Sequence, residues 1–219
     1  NMKLDRIVLM QLHCPPTEVY YRPELFYLFD ELVKEGKIRS YGVSVEKVEE
    51  ALKAIEYEGV STVQIIFNMF RQRPSELFFR EAKAKNVGII ARVPLASGLL
   101  TGKFDAESVF DKEDHRFFNR EGAAFDKGET FSGVDYTNGL EAVAKLKQLF
   151  NDNASLPQKA LRWILDFEEV SCIIPGASSV NQLLSNLHAS EMKSLSQEET
   201  NQVNALYNTA IKNAVHHLW

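Results

Sequence analysis

Short apolar strands and amphipathic helices alternate along this chain at roughly 22 to 27 residues per unit, and that rhythm admits few folds. Repeated strand–helix–strand units pack as a parallel sheet with helices on its faces, not as a sandwich or a bundle. The expected strands are Ile7–Met10 with a stop near His13, Ile38–Val43, Val60–Phe67, Gly88–Leu95 and Val170–Ile174. Helices are expected over 23–35, 46–57, 75–85, 138–151, 157–167, 180–187 and 198–215. The first shows the logic. Pro23 suits an opening turn, Leu25, Leu28, Phe29, Leu32 and Val33 make one apolar stripe, and Gly36 ends it.

The first strand ends abruptly. Ile7 to Met10 is an unbroken apolar run, as in a strand covered on both faces, and Pro15 and Pro16 lack the N–H groups that would continue the ladder. His13 therefore falls at the carboxyl end of a parallel strand, where such folds keep their chemistry. It is either a proton-handling group or a core-edge histidine bonded to a carbonyl. Ser44 ends the second strand and either caps the next helix or faces a ligand. Gln64 is the one large polar side chain of the third.

Residues 96–136 break the alternation. They are rich in Gly, Asp, Lys and Phe and read as one long functional loop. Its start, Arg92 to Phe104, brings Ser97, Gly98, Thr101, Gly102 and Lys103 together, either as a phosphate cradle or as an ordinary small-residue loop. A second junction, Ile174 to Asn186, joins a strand end to a helix start through Pro175-Gly176 and Ser178-Ser179. It is either an anion site or a plain helix cap. Gln182 and Asn186, four apart, share a face of that helix. Asp111 to Asp114 with Arg116 reads as a solvated loop, His216 and His217 as surface residues, and Arg162-Trp163 as helix packing.

Composition narrows the class. A net charge of −5 without a basic block argues against nucleic-acid binding. No apolar run approaches the roughly 20 residues of a membrane helix. Two cysteines, Cys14 and Cys172, make neither a disulfide framework nor a metal motif, and both are expected to be small buried side chains in a reducing, cytoplasmic setting. Five parallel strands suffice for an open sheet, whereas a closed (β/α)8 barrel takes eight and about 250 residues. The 219 residues are thus expected to form a single but incomplete barrel domain over 1–219. Three further βα units, roughly 30 residues each, would be wanted before its first strand.

Six segments, DRIVLMQLHCP, GKIRSYGVS, VQIIFNMF, VPLASGLLTGKF, IPGASSVNQLLSN and VHHLW, resemble the aldo/keto reductases in order and spacing. The resemblance implies a (β/α)8 TIM-type barrel, here strands four to eight with their helices, that reduces aldehyde or ketone carbonyls with NADPH and without metal. By it, His13 matches the histidine that orients the carbonyl, and Ser44 and Gln64 match the residues that hold the nicotinamide carboxamide. Arg92 stands where relatives stack an aromatic ring on the nicotinamide; its guanidinium plane is expected to serve instead. Ser97, Leu99 and Lys103 match the loop over the pyrophosphate, so 96–136 is the expected cofactor cover. Gly176, Ser178, Gln182 and Asn186 match the 2′-phosphate and adenine site. Ser178 is neutral where relatives often carry Arg or Lys, which leaves NADH open as an alternative. The family's proton-donating tyrosine, with its lysine and aspartate, comes from strands one to three, which are expected to be missing. Two other functions compete: a non-catalytic cofactor-binding regulatory subunit, and an unrelated phosphate-binding barrel enzyme.

Overall fold

The computed structural model describes residues 5–150 and 154–219. Its strands are β1 (Ile7–His13), β2 (Ile38–Ser44), β3 (Val60–Ile66), β4 (Gly88–Arg92) and β5 (Val170–Ile173). All neighbours pair in parallel, and spatial order equals chain order. That stepwise order is the path of a barrel wall; a doubly wound sheet reverses direction partway. Among the described residues β1 does not pair with β5, so the wall is an open arc: five strands of an incomplete (β/α)8 barrel.

Helices α1 (Pro23–Lys34), α2 (Val48–Ala54) and α3 (Phe78–Ala84) follow the first three strands. After β4 the chain runs through residues 96–133, which include the single-turn helix α4 (His115–Phe118), and then α5 (Tyr136–Leu149) and α6 (Leu156–Leu165). Helix α7 (Val180–Glu191) follows β5, and α8 (Gln197–Leu206) and α9 (Lys212–Val215) close the chain. Ser155 and Ser196 start α6 and α8 through capping boxes with Gln158 and Glu199, each worth about 1 kcal/mol. Within the core Trp163 of α6 stacks on Phe67 at 5.1 Å, with Phe79 and Phe167 edge-on to Phe67.

Four expectations need correction. β1 is not covered on both faces: Val8 and Met10 are exposed, with no described element packed over the face they share. Cys172 is exposed and Cys14 only half-buried; Cys172 lies on the other edge strand, where an apolar neighbourhood in sequence brings no cover. The last helix is helical throughout 197–215 but not regular, since a π turn at Tyr207–Ile211 joins α8 to α9. His216 is not a surface residue. Its Nδ1 meets the Tyr207 hydroxyl at 2.8 Å and its Nε2 the Glu76 carboxylate at 3.1 Å.

Candidate functional site

Parallel pairing places every strand's carboxyl end on one rim. His13 is in register with Ser44, and Ser44 with Gln64; residues in register on adjacent strands point to the same face. The three side chains therefore form a row. His13 is exposed at its open end. Ser44 is fully buried; its hydroxyl donates to Gln64 Oε1 at 3.3 Å, accepts from Cys14 Sγ at 3.5 Å, and its carbonyl accepts from the Tyr20 hydroxyl at 2.9 Å. Burial raises the Tyr20 phenol well above its ordinary range, so that group is a structural donor.

Arg92 ends β4 inside a charged cluster. Its guanidinium pairs with Glu46 at 3.0 Å and with Glu129, and donates to the Val45 carbonyl at 3.0 Å. With 5% of its surface exposed, it has no open face for the expected ring stacking. Two carboxylates hold it because a buried guanidinium must be paired. Burial, with the Glu129 charge adding and Arg92 opposing, raises Glu46 to about 7. Cys14 Sγ, Glu46 and Glu129 offer ligand atoms within 4.8 Å of one another, but Arg92 already occupies that centre. Burial also pushes the Cys14 thiol up to about 12, far from a metal-binding thiolate.

The second half of the site is a cleft of about 630 Å³ between the loop after β4 and the junction after β5. Ser97 and Lys103 stand on one wall, and Gly176, Ser178, Gln182 and Asn186 on the other. Ser97 (φ 52°) and Gly98 (φ 97°) turn the backbone sharply. The Ser97 hydroxyl donates to the Glu129 carbonyl at 2.8 Å and accepts from Phe131 N at 3.0 Å, so it ties the loop's far end back to its start. The Leu99 side chain is buried against Gly139 and lends the cleft no side chain. On the opposite wall Ser178 donates through N and Oγ to Gln182 Oε1, at 2.7 and 2.9 Å, and Asn186 Nδ2 donates to the Gly176 carbonyl at 3.2 Å. Ser179 caps α7. His13, Ser44, Gln64 and Arg92 lie outside the cleft walls.

The 96–136 stretch is more ordered than a solvated loop. Phe110 packs against Phe104, Phe131 and Tyr136, and the Arg116 guanidinium lies 4.9 Å from the Phe110 ring. His115 and Arg116 line the cleft, a role the sequence reading gave to neither. Arg116 Nε donates to Asp114 at 2.9 Å, holding that carboxyl down at about 2. The phenylalanines crowding this loop were the available signal, since a solvated segment has no use for them.

The model of the aldo/keto reductase family matches residues 1–208. The chain belongs to that family. Among its relatives, the uncharacterized oxidoreductase YqkF of Bacillus subtilis is 28% identical over 200 residues, 91% of this chain and 60% of YqkF. The Schizosaccharomyces pombe aldo-keto reductase yakc, whose name specifies NADP(+), is 30% identical over 74% of this chain and 46% of its own length. The structure of the Gluconobacter oxydans glycerol dehydrogenase AKR11B4 superposes with a TM-score of 0.74 at 26% identity, covering 96% of this chain and 61% of that one. The chain thus spans roughly half to three fifths of the length of these relatives. Its relatives carry the names of oxidoreductases and aldo-keto reductases. Among its described residues no helix is long and apolar enough to cross a membrane.

Proposed function

We propose that this chain carries the dinucleotide grip and the carbonyl-orienting histidine of an NADPH-dependent carbonyl reductase. The reading rests on two features of one chain: the His13–Ser44–Gln64 row at the strand ends, and a cleft bearing Lys103, Arg116 and the start of α7. Lys103 supplies the charge a pyrophosphate or 2′-phosphate needs, with Arg116 beside it already paired to Asp114; Lys103 offsets the neutral Ser178 and favours NADPH, with NADH the alternative. Gly176 has open space around it, and Ser178, Gln182 and Asn186 form a preset rim for the adenosine end. Ser97 and Leu99 shape the backbone above the pyrophosphate, with 96–136 as the cover. Ser44 and Gln64 hold the carboxamide end, Ser44 through Gln64.

When bound, the reduced nicotinamide supplies the hydride. His13, exposed at the end of the row beside Ser44, donates a ring N–H hydrogen bond to the substrate carbonyl oxygen and fixes its direction. Arg92 acts through Glu129 by fastening the cover, in place of the ring stacking first expected of it. Protonation of the developing alkoxide needs a donor. Tyr20 is buried and committed, so we assign that role to the additional length that relatives possess, and the substrate's identity to the same region.

Fluorescence titration with NADPH and NADH, followed by carbonyl-dependent loss of reduced nicotinamide, tests the reading. Saturable binding with NADPH ahead of NADH is expected. No binding of either would overturn it; binding without turnover would point to the regulatory-subunit alternative.

A further inference from the structure

Gln11 of β1 and Gln64 of β3 lie two strands apart, yet Gln64 Nε2 donates to Gln11 Oε1 at 2.8 Å. The strand between them makes this contact available. Gln11 is in register with Gly42, and Gly42 with Thr62, so the β2 position between the two amides has no side chain. None would fit: a Cβ on Gly42 would lie 2.1 Å from Thr62 Oγ1 and 2.4 Å from the Thr62 carbonyl oxygen. Gln11 Nε2 in turn donates to Thr62 Oγ1 at 3.4 Å. Both ends of the Gln11 amide are thus anchored on β3.

The consequence falls on Gln64. A primary amide carries two N–H donors and two acceptor lone pairs. One donor goes to Gln11, and one lone pair receives the Ser44 hydroxyl. One donor and one acceptor are left, side by side on a half-buried group, and they complement a second primary carboxamide. Without Gln11 the side chain keeps only the Ser44 contact, and that hydroxyl can donate to oxygen or accept from nitrogen. The amide could then turn over and exchange its remaining donor and acceptor.

We infer that Gln11 is a positioning residue, fixing through the gap at Gly42 which end of the Gln64 amide meets the carboxamide of a bound nicotinamide. This rests on the dinucleotide reading above. The two can fail separately.

The test compares NADPH with 2′-phospho-ADP-ribose, the same dinucleotide lacking nicotinamide, on the intact chain and on Q11L and Q11E. Q11L removes both anchors, whereas Q11E keeps an acceptor for Gln64 Nε2. Loss of one well-placed hydrogen bond is expected to weaken NADPH about five- to tenfold in Q11L. The nicotinamide-free probe should bind Q11L as it binds the wild type, and Q11E should recover most of the NADPH affinity. Equal weakening of both probes would make Gln11 merely structural, and unchanged NADPH affinity would remove the role altogether. Wild-type protein that binds the nicotinamide-free probe as tightly as NADPH would leave the carboxamide contact without effect and overturn the inference alone. Wild-type protein that binds neither would overturn it together with the dinucleotide reading.

Discussion

The Trp219 indole N–H donates to Asp126 Oδ1 at 2.8 Å, so the last residue of the chain is bonded into the loop that covers the cleft. The ring lies under the Arg71 guanidinium at 4.2 Å, and Arg73 Nη1 donates to the Trp219 carbonyl at 2.6 Å. Across the ring, Gly128 and Gly133 leave the space it fills, since a Cβ on either would come within 2.9 Å or 2.3 Å of the indole. The segment between these glycines carries Glu129, the partner of Arg92. One aromatic ring thus backs the contact that fastens the loop to the end of β4.

Replacing Trp219 should loosen that loop before the barrel wall. W219A removes a ring only 5% exposed and is expected to cost about 3 kcal/mol. W219F retains stacking under Arg71 but loses the bond to Asp126, at about 1 kcal/mol. Urea unfolding gives the totals, and limited proteolysis shows where the chain opens. Cleavage confined to the helices around β2 and β3 would contradict the latch.

Gly42 gives a sharper steric prediction. G42A puts a methyl group against the Thr62 carbonyl as well as its hydroxyl, and backbone cannot swing aside as a side chain can. A loss of about 2–3 kcal/mol is expected, read by chemical denaturation. T62A in the same background should recover only part of it, because the carbonyl contact remains. Full recovery would mean that the hydroxyl alone sets the limit.

Lys103 separates charge from structure. Its side chain is exposed, so K103A should leave the melting temperature within a degree or so. The dinucleotide affinity should drop about tenfold at low salt, and that gap should narrow as salt screens the contact. An affinity loss independent of ionic strength would argue against a phosphate partner for this lysine.

What the sequence disclosed and what it concealed divide by range. Strand ends at Pro15-Pro16 and the stop at Gly36 are local, and each element it indicated is present. The parallel sheet followed from spacing; its barrel order was implied only by the family resemblance, because a doubly wound sheet repeats the same strand–helix–strand units. Arg92 shows the opposite case. Its partners lie 46 and 37 residues away, at Glu46 and Glu129, and no local pattern announces a buried guanidinium between them. His216 is similar: a pair of histidines near a chain end looks solvated until Glu76, 140 residues earlier, closes over it. Gly42 reads as an ordinary strand glycine until the two amides across it are seen to touch.

The pair Glu46 and Glu129 around Arg92 makes stability depend on pH. One guanidinium cannot neutralise two half-buried carboxylates, and burial with the Glu129 charge lifts Glu46 from its ordinary 4.5 to about 7. A carboxyl whose pKa is higher in the folded chain than in the unfolded one holds its proton more tightly when folded. Its stabilising contribution is therefore fully present below the unfolded value, near 4.5, and is lost as pH rises through about 7. The loss from this one group is about 3 kcal/mol at most, with the Glu46 side chain only 16% exposed to solvent. E46Q keeps the shape and cannot titrate, so its unfolding free energy should stay level between about pH 5 and about pH 8 while the wild type declines. The two proteins should differ most above neutrality, where the wild type carries the unneutralised charge. Parallel curves for the two would place the proton elsewhere in the cluster and leave Glu46 ionised throughout.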